Sequence, residues 1–243
     1  MSAWETAALA VAGLFFGSFY GVVAARVPDG RSIVAPPSSC PACGHRLRPF
    51  DLIPVISFLL QRRRCRYCGA LLPWRYLLVE LATGAAFAAA HWISGRDWPL
   101  TAAGVVFLSF LVILSLVDLE RMLLPDRITL PGIAAGLALA VAGMSFVPWS
   151  ESLLGAIVGY VLLSLVRLLT GAMGGGDAKL LALIGAFLGP ADVLRALLFA
   201  SLIGSVVGIG LMLAGRLRRD QPLPFGPFLA AGAVVTLTLA QRF

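Results

Sequence analysis

The chain has 243 residues, of which 59% are hydrophobic and 13% charged, with a mean hydropathy of +0.92. Soluble domains lie nearer half apolar and about a quarter charged, so this composition excludes them and points to a membrane protein. The formal net charge of +7 is no argument for nucleic acid, because the basic residues sit in short stretches between apolar segments, where lipid headgroups and membrane orientation account for them.

A hydrocarbon core of about 30 Å takes about 20 apolar residues of helix. On that measure, spans are expected over 4–25, 76–94, 99–117, 128–147, 151–171, 178–190, 193–214 and 224–241. The first is preceded by Glu5 and no basic cluster, so it reads as a spanning helix and not as a removable signal peptide. The sixth is short and flanked by glycine. All are continuously apolar and not alternating, which favours helices over a β-barrel.

Orientation follows from the loops. Arg26, Arg31, Arg46, Arg48, Arg62, Arg63, Arg64, Arg66 and Arg75 lie between the first two spans. Arg121 and Arg127 follow the third, Lys179 the fifth, and Arg216, Arg218 and Arg219 the seventh. These loops share one side, while the other carries little beyond Arg96, Arg195 and Arg242. The basic side is expected to be cytoplasmic, with both chain ends outside.

The long loop, residues 26–75, contains all four cysteines, as Cys40-Pro-Ala-Cys43-Gly44 and Cys65-Arg-Tyr-Cys68-Gly69. Two such knuckles offer four thiolates at the corners of a tetrahedron, which suits structural Zn2+, and a loop this small needs a staple. Disulfides and an independent redox pair are the alternatives; a reducing cytoplasm disfavours the first and the matched spacing the second. His45 reads as a loop residue.

An acid in or beside a span is costly and each needs a reason. Asp118 closes the third span, although the dipole at a helix C-terminus disfavours an acid there. Asp126, in Leu124-Pro125-Asp126, can cap the fourth span, and Asp177, after Gly174-Gly175-Gly176, can cap the sixth. The three glycines also let another backbone approach and leave room for an extended peptide. Topology puts Asp118 and Asp177 on one face. Two carboxylates a few ångströms apart share a proton, the logic of aspartic proteolysis. Residue chemistry alone leaves this pairing open against two unrelated interfacial acids.

The ordered set of motifs resembles the type IV prepilin peptidase family over nearly the whole chain. It comprises Gly17-Ser18-Phe19-Tyr20, Arg26-Val27-Pro28, the two cysteine knuckles, Leu52-Ile53-Pro54-Val55-Ile56-Ser57, Arg75-Tyr76, Glu80, Asp118 with Leu124-Pro125-Asp126, and Gly174-Gly175-Gly176-Asp177. The last is a GxGD motif, shared with presenilin-like intramembrane proteases. The resemblance implies an all-α polytopic membrane protein of about eight transmembrane helices with a small cytoplasmic zinc-ribbon loop. Residues 1–25 would be the first span, 26–75 the zinc-binding loop and methyltransferase region, and 76–243 the aspartic peptidase core. It further implies cleavage of prepilin or pseudopilin leaders at the cytoplasmic face of the inner membrane, after the leader's terminal glycine. Asp118 and Asp177 would be the catalytic pair, with no catalytic metal. Glu120, Pro125, Asp126, Gly174, Gly176 and Lys179 would support them, and Cys40, Cys43, Cys65 and Cys68 would hold zinc. Many members also N-methylate the new N-terminus with S-adenosylmethionine, for which no nucleotide fingerprint is legible here. The family commonly has Asn where this chain has Gly21.

Partners on this reading are prepilins or pseudopilins and membrane lipids, with no nucleic acid. A GxGD protease of other substrates would leave the cysteine loop unexplained. A zinc-stabilised scaffold would make every aspartate a cap or anchor. A transporter would place its acids near the bilayer midplane, not at span ends.

Overall fold

The computed structural model describes residues 3–171, 173–218 and 221–240; Arg219 and Arg242, used above for orientation, lie outside the described residues. The elements are α1 (Ala3–Arg26), a short 3-10 helix (Pro49–Leu52), α2 (Ile56–Leu60), α3 (Arg75–Ile93), α4 (Trp98–Arg121), α5 (Asp126–Val141), α6 (Trp149–Thr170), α7 (Gly175–Leu188), α8 (Pro190–Leu213) and α9 (Gly226–Ala240). Among the described residues, β pairing is confined to isolated bridges in the long loop.

All eight expected spans are helices, but they fall into two length classes. Five of them, α1, α3, α4, α6 and α8, have 19 to 24 residues and are apolar enough to cross a bilayer. The protein is therefore a multi-pass membrane protein. The other three, α5, α7 and α9, have 16, 14 and 15 residues, or only about 21–24 Å of helix. For α7 the neighbours, not lipid, set the requirement: every residue from Leu180 to Gly189 is buried. A helix that is apolar all round belongs inside a bundle, and its length is then free of bilayer thickness.

Contacts at the two ends show that the helices alternate in direction. At the end that carries the long loop, Glu120 meets Arg75, Asp118 meets Gly226 and Lys179 meets Asp126. At the far end, His91 Nδ1 lies 3.1 Å from Thr101 Oγ1, and Ser152 Oγ donates to the Ala186 carbonyl. Both Asp118 and Asp177 thus belong to the loop end.

Lipid offers no hydrophobic drive for helix pairing, so close packing through small residues supplies it. A Cβ at Gly13 would sit 2.6 Å from the Thr83 carbonyl oxygen, and one at Gly17 would sit 2.7 Å from Glu80 Cα. The backbones of α1 and α3 are in contact there, whereas nothing lies within 4 Å of a Cβ at Gly21. Gly13→Val should therefore cost about 1–3 kcal/mol through overpacking and lower the thermal midpoint in detergent. Gly21→Ala should leave the midpoint unchanged. Equal midpoints for the two variants would remove the close-packing account of this helix pair.

Candidate active site

Helix α4 runs past the expected end of its span to Arg121, so Asp118 lies inside its last turn. Met122 ends the helix in the left-handed region at φ 52°, its N–H donating to the Asp118 carbonyl at 2.8 Å. The α4 dipole disfavours an acid at this end, and the first residue of α9 offsets it. The Gly226 N–H donates to Asp118 Oδ2 at 2.8 Å, and the free amides of that first turn present the positive end of a second helix. Glycine is needed at this junction, because a Cβ on residue 226 would lie 2.8 Å from the same Oδ2. Asp118 is only 5% exposed.

Asp177 is the third residue of α7, and Gly174 is the N-cap in place of the expected Asp177. The carboxylate instead reaches back one turn, with the Gly174 N–H donating to Asp177 Oδ2 at 3.0 Å. Each aspartate therefore accepts a backbone N–H at the start of a short helix. Both carboxylates lie at the loop end of the bundle, Asp118 on α4 and Asp177 on α7.

The glycine run differs from the open strip expected for an extended peptide. A Cβ on Gly176 would lie 2.7 Å from Leu124 Cβ, and one on Gly175 would lie 2.7 Å from Arg167 Nη1. The backbone that approaches closely is this chain's own Leu124, which is buried. Pro125 is the N-cap of α5 and Asp126 its first residue, not its cap. Asp126 is ion-paired with Lys179. Pro125, Asp126, Gly174, Gly176 and Lys179 are thus gathered around the start of α7. Glu120 is turned outward and pairs with Arg75 at 3.0 Å.

In the long loop the two cysteine knuckles repeat one hydrogen-bond pattern. Cys40 N–H donates to the His45 carbonyl and Gly44 N–H to the Cys40 carbonyl, each at 2.9 Å. Cys65 N–H to Ala70 and Gly69 N–H to Cys65 reproduce both bonds at the same 2.9 Å. The four sulfurs lie within 4.8 Å of one another. Backbone N–H groups of Cys43 and then Ala42 hold the Cys40 thiol down at about 7. At Cys68 the Ala70 N–H favours the thiolate, but burial and the sulfurs of Cys43, Cys65 and Cys40 push it up to about 11. Four sulfurs this close resist joint ionisation unless a cation sits among them, so the donor set fits a thiolate-bound metal. His45 packs against Tyr67 at a tilt of 30°, ring centroids 3.7 Å apart, and is not in the sulfur cluster. Beneath the knuckles, Asp51 accepts from the Arg48 N–H, Gln61 Nε2 and the Tyr67 hydroxyl, each at 3.1 Å. Burial pushes the Asp51 carboxyl up, but these bonds and the Arg66 and Arg48 charges outweigh it and leave it below its usual range.

Three contacts strap the loop to the helices. Arg121 pairs with Asp29, and its guanidinium, helped by Arg31 but opposed by some burial, lowers the Asp29 carboxyl to about 2. Arg75 holds Glu120. Glu80, buried in α3, accepts the Val55 N–H at 2.7 Å. Val55 is at φ 61°, and the Ile56 N–H closes back on the Pro54 carbonyl at 2.6 Å, a rare positive-φ γ-turn.

Sequence reasoning missed Gly226, Arg167 and Asp29. Gly226 had a signal, Pro224-Phe225-Gly226-Pro227, in which prolines flank a glycine at the edge of an apolar run. The span expected from 224 absorbed it, whereas α9 starts at Gly226.

The profile of the type IV leader peptidase family matches residues 105–209, and that of the bacterial peptidase A24 N-terminal domain matches residues 11–94. A prepilin leader peptidase/N-methyltransferase of Bacillus subtilis (strain 168) is 42% identical over 231 residues, covering 93% of this chain and 91% of that protein. The chain belongs to the type IV leader peptidase family. A protein of the same name from Burkholderia pseudomallei (strain K96243) is 38% identical over 264 residues, 96% of this chain and 85% of its own length. Another, from Myxococcus xanthus (strain DK1622), is 44% identical over 213 residues, 85% of this chain and 63% of its own. No solved structure matches the chain. The cysteine knuckles lie within the first matched region and both aspartates within the second; Gly226 lies beyond it.

The sulfur geometry predicts about one bound metal ion per chain. Cys40→Ser or Cys65→Ser should lower metal content measured on the purified protein and speed proteolysis of the loop. Metal-free protein with an equally resistant loop would show that the four thiols need no ion.

Proposed function

We propose that this chain is a membrane aspartic endopeptidase that removes the leader peptides of type IV prepilins or pseudopilins. On this reading it also N-methylates the N-terminus it exposes, as the names of its relatives suggest. The observation that carries the peptidase reading is the paired arrangement of Asp118 and Asp177, each on a backbone N–H at the start of a short helix.

One ionised carboxylate takes a proton from water while its protonated partner donates to the scissile carbonyl oxygen. The water oxygen adds to the carbonyl carbon to give a gem-diol; as its C–N bond breaks, the departing amine takes up the proton the first carboxylate received and a gem-diol hydroxyl returns its proton to the second. The helix N-termini favour the charged member of the pair. A substrate's apolar helix can stay in the bilayer, so that only its junction with the leader need reach the loop end. S-adenosylmethionine would supply the methyl group, and the matched N-terminal region, with the loop of residues 26–75, would perform the transfer. The four sulfurs suit structural Zn2+, the common closed four-thiolate ion in a reducing compartment.

The test is incubation with a purified prepilin and labelled S-adenosylmethionine, reading leader removal and methyl incorporation separately. Asp118→Asn and Asp177→Asn should each lower cleavage at least about a hundredfold, with the thermal midpoint retained. Gly226→Ala, which displaces Asp118 Oδ2, should lower it on the order of tenfold to a hundredfold. Methylation of a pre-cleaved pilin should survive all three. Near wild-type cleavage by Asp177→Asn would reduce that residue to an anchor for the α7 start.

The arginine distribution supports a loop end in the cytoplasm of the inner membrane, with both termini on the opposite side. Reporter fusions after Arg66, Arg121 and Arg218 should read as cytoplasmic, and fusions after Asp97 or Pro148 as external. Opposite readings at Arg121 and Arg66 would overturn this topology.

A further inference from the structure

Helix α2 and the turn that follows it have no assigned role. The helix is short, Ile56–Leu60, and begins at Val55, whose N–H is held by Glu80. Glu80 is five residues inside α3 from Arg75, about 7.5 Å along the helix axis. It also faces Gly17, nine residues before the end of α1 at Arg26. The start of α2 is therefore held against the flank of α3, at the level of its first two turns.

What α2 presents at that level is apolar. Leu59 is 60% and Leu60 79% exposed, and Ile56 and Trp74 are exposed as well. Trp74 immediately precedes α3, the interfacial position that tryptophan favours. Directly after α2 come Arg62, Arg63 and Arg64. The first two lie in the left-handed region at φ 49° and 59°. The Arg62 N–H closes on the Leu59 carbonyl at 3.0 Å and the Arg63 N–H on the Phe58 carbonyl at 2.9 Å. Two successive strained non-glycine residues thus turn the chain back at the end of α2. The Arg63 guanidinium lies over the Trp74 ring at 5.0 Å. Among the described residues, none of the three arginines has an acidic partner. They border a cavity of about 320 Å³ whose other walls include Leu59, Leu71 and Trp74.

We propose that this face is an interfacial anchor, in which Ile56, Leu59, Leu60 and Trp74 enter the leaflet facing the loop and Arg62–Arg64 bind the phosphates of its anionic phospholipids. Charge complementarity selects the occupant: unpaired guanidiniums beside exposed leucines match a lipid that joins an anionic headgroup to acyl chains. A soluble acidic partner would pair the arginines but leave Ile56, Leu59, Leu60 and Trp74 without an apolar neighbour. The anchor fixes the Arg62–Arg64 edge of the loop against the bilayer, while Asp29 and Glu120 fix its two ends to α4.

The test uses the full chain in nanodiscs without substrate, so it reads nothing of peptidase activity. Emission of wild-type protein minus that of Trp74→Phe isolates Trp74. Its quenching is compared between discs carrying brominated phosphatidylglycerol and discs carrying the same fraction of brominated phosphatidylcholine. The glycerol lipid should quench severalfold more strongly, in proportion to its enrichment beside three cations. The combined variant Arg62→Gln, Arg63→Gln, Arg64→Gln should quench equally with both, while its helix content by circular dichroism is retained. Equal quenching in the wild type, or a preference that survives in the arginine variant, overturns the proposal.

Discussion

The hydrogen bond from the Gly226 N–H to Asp118 joins the last turn of α4 to the first turn of α9, and the loop end of the bundle is arranged around it. An acid in the closing turn of a membrane helix faces two costs, removal from water and the negative end of its own helix dipole. A second helix that starts against it offsets both, since its first amides have no intrahelical acceptor and need one. That requires α9 to begin level with the last turn of α4, and α9 has only 15 residues. It also requires a residue without Cβ at the junction, because a Cβ there would come within 2.8 Å of Oδ2. Asp177 meets the same problem within one helix, by reaching back to Gly174 at the start of α7. The two shortest of the eight long helices, α7 and α9, are the ones whose N-termini receive Asp177 and Asp118.

Legibility in the sequence followed the length scale of each signal. Helix existence and number were clear, because continuous apolar runs leave the backbone no other way to satisfy itself in lipid. Their ends were not. The expected third span stopped at 117, whereas α4 continues to Arg121, since Asp118 and Glu120 look like a stop signal until their partners are known. The expected fourth span reached 147 but α5 ends at Val141, because the apolar residues that follow it, Met144, Phe146 and Val147 among them, are equally apolar outside a helix. The knuckles were legible because metal geometry imposes a fixed local spacing. Gly226 was not, because its partner lies 108 residues away and a single sequence carries no record of such pairs. The same holds for Asp29 with Arg121, 92 residues apart. The glycine run was legible as a place of close approach, but not as to what approaches, which proved to be Leu124 of the Pro125–Asp126 segment.

The two regions matched by separate family profiles meet along α4, where Tyr20 donates to Ser109, and are ion-paired in its last turn. Glu120 and Arg121, which bind Arg75 and Asp29, follow Asp118 directly in the last turn of α4. Arg121 also donates to the Ala25 carbonyl at the end of α1. The long loop is therefore not an appendage hung from two helix ends. Its entry and exit are both ion-paired to the turn that carries the proposed catalytic acid, and its middle is held at Val55 by Glu80.

This arrangement separates two ways in which the ribbon can matter. The sulfur cluster contains no group shared with the aspartates, so a metal there cannot take part in their proton transfer. Yet the last turn of α4 has few constraints of its own beyond Met122 and the α9 junction. Loosening the loop would release Asp29 and Arg75, and with them the outer side of that turn. Asp118 is three residues, about 4.5 Å of helix rise, from the end of α4, close enough for fraying there to disturb its bond to Gly226. Paired carboxylates depend on positions held to fractions of an ångström. A structural metal can thus act on the acid pair through helix order alone, with α4 as the only connection it needs.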